Sequence, residues 1–331
     1  MWIAKPIQSL SSSEESAWLR LEIDLPLAQS LAWARATEAV TGRAFLVFSP
    51  DESAGGIVFT PSHRSSDETH FECINGPHLQ WDDTQHSSRQ FATFAMAVAK
   101  LDFKFRSLRI QPRWEKTSVT ERLKLLPIPP FEQSQAATLL VPVLPTPEAQ
   151  LQTLHPRLRR TLATTWKNNI LTSWERVHPD ALENFVTAMA RFGKTKGFTV
   201  PPQTWFEALT LADPRASIRQ TFWLGTAATS ADSPLANFAQ ILVCFAGKTA
   251  YYLFGHETRT APYRAALSPS AALHWLALEQ CRIAQIQNYD LNGYLIDAKP
   301  NHPYYGVSKF KEQFQGKIVE YEIPEFLIES S

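Results

Sequence analysis

The chain has 331 residues, 44% of them hydrophobic, with 32 basic and 32 acidic side chains. That length supports one large or two medium domains with real cores, and balanced charge supplies no overall field toward nucleic acid or membrane, so any polyanion must meet a local patch. Three cysteines, Cys73, Cys244 and Cys281, stand apart with no Cys-x-x-Cys pair, which argues against a cysteine zinc site or a disulfide framework and fits reduced, buried thiols.

In chain order, Leu27, Leu31, Ala34 and Val40 recur at helical spacing and predict a helix over 27–41. Phe45-Leu46-Val47-Phe48 and Gly56-Ile57-Val58-Phe59 read as buried strands, 62–69 as a polar loop, Phe71-Glu72-Cys73-Ile74 as a strand and Asn75-Gly76-Pro77 as a turn. A helix follows over 90–101, then a strand over 107–112 stopped by Pro112. The prolines of 127–130 and 142–147 bracket a strand at 137–141. A domain boundary is expected there, giving a first domain at 1–147 and a second at 148–316, with 317–331 a C-terminal strand and tail returning near the first.

Beyond the boundary, helices are expected over 147–154, 157–168 and 179–194 and from about 202. Strands follow over 217–224, 237–245 and 249–254, then a helix over 270–287 and a strand over 288–291. A short helical stretch within 304–314 precedes a strand at 317–321. Both halves mix helices and strands in similar order, which suggests a duplicated α/β unit.

Gly247-Lys248-Thr249 looks like the end of a phosphate-binding loop, but Leu242 stands where that loop needs glycine. A hairpin turn between two strands is expected instead. No Gly-x-Ser-x-Gly, His-Glu-x-x-His or Gly-x-Gly-x-x-Gly pattern occurs, and the nine histidines are scattered; His256, after Gly255, reads as part of a surface turn, with a cleft-lining position the alternative. Twelve glycines offer no glycine-rich cradle for coenzyme A. The absence of a long apolar run or a charged-then-apolar leader leads to the expectation of a soluble, cytoplasmic protein.

His155-Pro156-Arg157-Leu158-Arg159-Arg160, with Lys167 beyond, is the densest basic cluster. It is either a solvated helix start or a set of cations that meets phosphates, since cations oppose the dipole there. Trp33-Ala34-Arg35 places a guanidinium beside an indole on one helix. Near the C-terminus Lys311 follows Phe310, and the segment reads as a helix start whose cation would face developing negative charge; a solvated Lys-x-Lys face is the alternative.

Taken in order, these segments resemble the Fem family of peptidoglycan bridge-forming aminoacyltransferases. The resemblance runs through Gln29-Ser30-Leu31-Ala32-Trp33-Ala34, Asn75-Gly76-Pro77 and Leu108-Arg109-Ile110-Gln111-Pro112, then the Arg-rich 157–170 and Lys196-Gly197-Phe198 with Pro201-Pro202. It continues through Tyr251-Tyr252-Leu253-Phe254-Gly255 and Tyr289-Asp290-Leu291-Asn292-Gly293, and ends on Gly306 through Phe314. Gln111 replaces a frequent Asp, and Asn292 replaces the first glycine of a Gly-Gly turn, a position that αL-tolerant Asn can occupy.

The resemblance implies an α/β (α+β) fold of two tandem acetyltransferase-like (GNAT-like) domains around a shared cleft, without a long coiled-coil arm. It implies transfer of an amino acid from aminoacyl-tRNA to the side-chain amine at position three of a peptidoglycan precursor peptide. Neither metal nor coenzyme A takes part; aminoacyl-tRNA is the co-substrate. The acceptor is UDP-linked or lipid-linked, with peripheral contact at the inner membrane face in the second case, and a monomer is expected. Lys311 and Phe310 are the implied catalytic residues. Arg35, Trp33, Arg157, Arg160, Tyr251, Tyr252, Tyr289 and Asp290 are the implied substrate-binding residues, with only one of Tyr251 and Tyr252 able to face the cleft. An acyl-thioester-dependent N-acyltransferase on the same fold, or a non-catalytic precursor- or tRNA-binding protein, stays open beside this reading.

Overall fold

The computed structural model describes residues 2–21, 25–59, 70–79, 84–101, 107–115, 132–168, 170–211, 220–228, 239–258, 267–302 and 304–329. The expected loop at 62–69, the prolines at 127–130 and the first residues of the strands expected from 217 and 237 lie outside them. Backbone contacts divide the chain into two compact units: 1–136 with 204–213 and 320–331, and 137–203 with 214–319.

In the first unit β1 (Ile3–Pro6), β2 (Ala44–Ser49), β3 (Ala54–Phe59) and β4 (His70–Ile74) form an antiparallel series. Strand β5 (Ser107–Gln111) lies parallel to β4, and residues 326–329 of the last strand, β13 (Lys317–Glu329), pair antiparallel with β5. The two-residue β6 (Trp114–Glu115) pairs with β13 at Tyr321 and Glu322, and the Arg113 guanidinium lies 3.7 Å above the Tyr321 ring.

All six residues of β2 are buried because helices cover both faces of the sheet. Ala44, Leu46 and Phe48 join a cluster with Trp18 of α1 (Ser12–Leu21) and with Leu31 and Ala34 of α2 (Leu31–Thr41). Phe45 and Val47 point the other way, into Phe91, Phe94 and Val98 of α3 (Thr84–Ala99). This alternation explains why the strand reads as a continuous apolar run.

The entry to α2 follows from its sequence. Ser30 caps the helix by accepting from the Trp33 amide at 3.1 Å, and Gly42 closes it in a left-handed conformation, φ 75°. The adjacent Gln29 is 1% exposed; its Oε1 accepts from the Ile57 amide at 2.8 Å and its Nε2 donates to the Ile74 carbonyl at 2.6 Å. A Cβ at Gly76 would come within 2.6 Å of the Gln29 side chain, so this turn needs glycine.

The second unit repeats the plan. After α4 (Pro147–Thr153) and α5 (Pro156–Lys167), β8 (Leu171–Arg176), β9 (Gln220–Ala228), β10 (Ala239–Ala246) and β11 (Thr249–Glu257) form an antiparallel series. Strand β12 (Asn288–Asp290) is parallel to β11, and residues 140–142 of β7 (Glu132–Pro142) pair antiparallel with β12. Four antiparallel strands, a helix, a parallel fifth and an antiparallel sixth thus occur twice, which is the duplication the element order suggests. One face of the second sheet shares a core with Leu158 and Leu162 of α5 and with Leu273, Ala277 and Leu278 of α8 (Pro269–Ile283). Helix α6 (Pro179–Lys196) buries Leu182, Phe185, Val186 and Met189. Helix α7 (Gln203–Leu211), apart from its first residue, belongs to the first unit and carries Trp205.

Gly247-Lys248 is the two-residue hairpin expected between β10 and β11, with Ala246 opposite Thr249 and Gly247 at φ 56°. His256 differs from expectation. Strand β11 runs on to Glu257, so His256 is a strand residue 3% exposed, with Nε2 at 3.1 Å from Gln240 Oε1. Burial pushes it down to about 4, which keeps it neutral.

Candidate active site

Helix α9 (Tyr305–Glu312) carries Phe310 and Lys311, and it corrects the sequence reading of that lysine. The helix opens at Tyr304, so Lys311 lies in its last turn, beside Lys309. A cation there complements the helix dipole instead of reinforcing its positive end. The two lysines then part company: Lys309 is exposed and paired with Glu312 at 2.8 Å, whereas Lys311 is 5% exposed.

What holds Lys311 is the turn that follows β12. Asn292 (φ 54°) and Gly293 (φ 38°) both take left-handed conformations, tolerated by Asn and Gly. Their carbonyls accept from Lys311 Nζ at 2.5 and 3.0 Å. The other side of the turn is fixed by Asp290, whose Oδ1 accepts from the Asn292 amide at 2.7 Å and from the Thr138 hydroxyl. Asp290 is itself 5% exposed. Burial pushes the Lys311 ammonium down to about 8, while the nearby Asp290 carboxylate pulls upward. At neutral pH the charged form therefore still prevails by roughly tenfold.

Aromatic rings close the surroundings. The Tyr252 ring lies 5.8 Å from Lys311 Nζ, and its phenol is pushed up to about 12 by burial, so it stays protonated. Phe310 sits 5.5 Å from Phe314 and 5.5 Å from the His274 ring. His274 also meets Tyr252 at 4.7 Å, and its Nδ1 lies 2.7 Å from the hydroxyl of Tyr289, which is fully buried. Tyr251 pairs with Cys244, and as the strand neighbour of Tyr252 it points to the opposite face.

Lys311, Phe310, Tyr252, Tyr289 and Asp290 are thus brought together inside the second unit. The Tyr289 hydroxyl and Asp290 Oδ1 are engaged in this interior network. Sequence reasoning missed His274 and Thr138, because only tertiary packing links them to the segment around Lys311.

Trp33 and Arg35 lie in the first unit. Trp33 meets Trp205 edge-on at 5.0 Å, and Arg35 Nη2 lies 2.7 Å from Glu15 on α1, fixing the guanidinium. In the basic cluster Arg159 donates to the carbonyls of Gln152 and Leu154 at 2.9 and 3.2 Å. It thereby satisfies acceptors left over at the end of α4, a structural reason for one of these cations. Arg157, Arg160 and Lys167 are exposed. Among the described residues no group of three or more His, Cys, Asp or Glu is placed to hold a metal, and no helix is long and apolar enough to cross a membrane.

Residues 214–327 match the FemAB family. No curated protein matches the chain. Among solved structures the chain is similar to FemX, with 16% identity, coverage of 97% of this chain and 96% of that one, and a TM-score of 0.70. It is similar to L-PGS from Bacillus licheniformis, with 10% identity, 95% and 91% coverage and a TM-score of 0.58. A tandem GNAT protein from the clavulanic acid biosynthesis pathway, solved without AcCoA, shows 11% identity, 100% and 99% coverage and a TM-score of 0.54. At these identities the likeness establishes the fold: a tandem GNAT-like α/β architecture.

Proposed function

We propose, from the match of residues 214–327 to the FemAB family, that the chain is an aminoacyltransferase that moves an amino acid from aminoacyl-tRNA to the side-chain amine at position three of a peptidoglycan precursor peptide. The neutral amine attacks the ester carbonyl, a C–N bond forms, and the C–O bond to the tRNA ribose breaks. The proton lost by the amine ends on the departing ribose oxygen, which makes the step partly substrate-assisted.

The observation that carries this reading is a buried ammonium, within the family segment, with two of its three N–H groups fixed by the Asn292 and Gly293 carbonyls. Its remaining N–H has a set direction before substrate arrives, and in a low-dielectric site such a donor stabilises a tetrahedral oxyanion without reorganising. Phe310 and Tyr252 restrict water around it. Holding amine and ester together supplies the rest, on the order of 7–11 kcal/mol.

Arg35, oriented by Glu15, is assigned to the diphosphate of a UDP-linked or lipid-linked acceptor, with Trp33 beside it. Arg157 and Arg160 are assigned to phosphates of the tRNA acceptor end, and the setting is cytoplasmic, with peripheral membrane contact for a lipid-linked acceptor. Arg35→Ala is expected to raise KM for the precursor about tenfold or more while KM for tRNA stays within twofold. Glu15→Gln should shift the same parameter in the same direction, more weakly. A rise confined to the tRNA KM would remove Arg35 from the acceptor site.

The likeness to a tandem GNAT protein favours a second reading, acyl transfer from a thioester. Mass spectrometry of a lysine-containing precursor, incubated with purified protein and either a mixed aminoacyl-tRNA pool or acyl-CoA, separates the two. Adducts from the tRNA pool alone support the first reading, and adducts from acyl-CoA alone replace it.

A further inference from the structure

A histidine at the centre of four rings takes no part in the proposed transfer step. His274 is 2% exposed and meets Tyr252, Phe310, Phe314 and Tyr289 at centroid distances of 4.7, 5.5, 5.5 and 5.8 Å. One of those rings, Tyr252, lies 5.8 Å from Lys311 Nζ, and Phe310 directly precedes Lys311 on α9. Among the described residues, His274 hydrogen-bonds to the Tyr289 hydroxyl, at 2.7 Å, and not to the ammonium. A general-base role fails on magnitude: burial, with the Lys311 charge adding to it, pushes His274 down to about 3, far too low to hold a transferred proton.

We propose that His274 is a positioning residue: anchored by Tyr289 and packed on Phe310, its ring holds Tyr252 beside the Lys311 ammonium and so keeps water from it. The bond to Tyr289 satisfies two polar groups that burial would otherwise leave unmatched, and it sets the ring plane. The ring then serves as a wedge between β11, which supplies Tyr252, and α9, which supplies Phe310. Among the described residues, the charged and titratable groups around the ammonium are Asp290 from β12, Tyr252 from β11 and His274 from α8. With His274 neutral, Asp290 is the one of these three that counters its charge. The proposal deepens the reading of Lys311 given above, yet its central readout does not depend on the reaction.

That readout is the titration of Lys311 in the full chain, followed by NMR of isotopically labelled lysine and identified by the signal lost in Lys311→Met. His274→Ala opens the wedge and admits water, so Lys311 should titrate about one unit or more higher than in the parent protein. Turnover in the transfer assay should fall between tenfold and about a hundredfold, with KM for aminoacyl-tRNA within twofold. The double variant His274→Phe with Tyr289→Phe retains the rings and removes both polar partners together, which protects folding. In it Lys311 should titrate close to the parent value. The proposal is overturned if folded His274→Ala leaves the Lys311 titration unchanged, or if the folded double variant shifts as far as the alanine variant does. Should Lys311→Met keep full turnover, the assigned reaction step falls while the titration still decides the role of His274.

Discussion

Lys311→Met is expected to lower turnover by about 10²–10³ with the fold intact, the usual cost of removing one oxyanion donor. The residue is buried on carbonyls, so the substitution also leaves the Asn292 and Gly293 acceptors without their partner. Circular dichroism and a thermal melt must therefore accompany the kinetics. The pH profile supplies a sharper signature. The acceptor amine must be neutral and ordinarily titrates near ~10.4, so the transfer rate should climb tenfold per pH unit in mildly acidic and neutral solution. Lys311 must be protonated, and it loses its proton through about 8. Above that pH the two trends cancel, and the logarithm of the rate should level off until the amine is fully neutral. In Lys311→Arg, whose guanidinium stays charged, whatever rate remains should keep climbing through pH 8. A parent profile without a break near 8, or near-normal turnover in a folded Met variant, would remove Lys311 from the chemistry.

Asp290→Ala carries the second large effect. This carboxylate accepts from the Thr138 hydroxyl and the Asn292 amide, and it lies near the buried Lys311 charge. Its removal leaves the buried Thr138 hydroxyl and the part-buried Asn292 amide without their acceptor and an ammonium less well compensated. Loss of about 3 kcal/mol in denaturant unfolding is expected, since hydrogen bonds to charged groups are worth roughly 1.5–3 kcal/mol each and are not additive. Turnover should drop beyond the loss of folded protein, because the Asn292 and Gly293 carbonyls lose the anchor that aims them. Asp290→Asn keeps one acceptor and should fall between parent and alanine. A stability change under ~0.5 kcal/mol for Asp290→Ala would mean that the turn is held by something else.

The strands around Phe45–Phe48 and in 241–246 were legible because both faces of each sheet are covered, which turns burial into unbroken apolar runs. The Gly247-Lys248 hairpin was legible from its flanking strands alone. Helix α1 was missed although its signal was present: the Ser11 hydroxyl accepts from the Glu14 amide at 3.3 Å, and Glu14 Oε2 takes the Ser11 amide at 2.8 Å, a reciprocal cap of the Ser-x-x-Glu kind. Strand β13 was expected over 317–321 but continues to Glu329, past Pro324, because pairing with β5 outweighs the local break.

At the site, Phe310-Lys311 and the Asn292-Gly293 turn could be read as segments. Their connection could not. Nothing in spacing reveals that Lys311 turns inward while Lys309 turns outward, or that His274 reaches Tyr289. Such pairings are set by how helix α8 meets the sheet. Arg159 shows the opposite case: a cation that looks like a phosphate ligand in the sequence is occupied by helix-end carbonyls.

The Gln29 clasp makes one residue of the first unit chemically unforgiving. Its amide presents an acceptor to Ile57 and a donor to Ile74 in a place sealed from solvent. Deamidation, or a Gln29→Glu substitution, exchanges a single NH₂ for oxygen and turns one side of the clasp from attraction to lone-pair repulsion. A lowered melting temperature that recovers as acid restores a proton to the new carboxyl would be its hallmark.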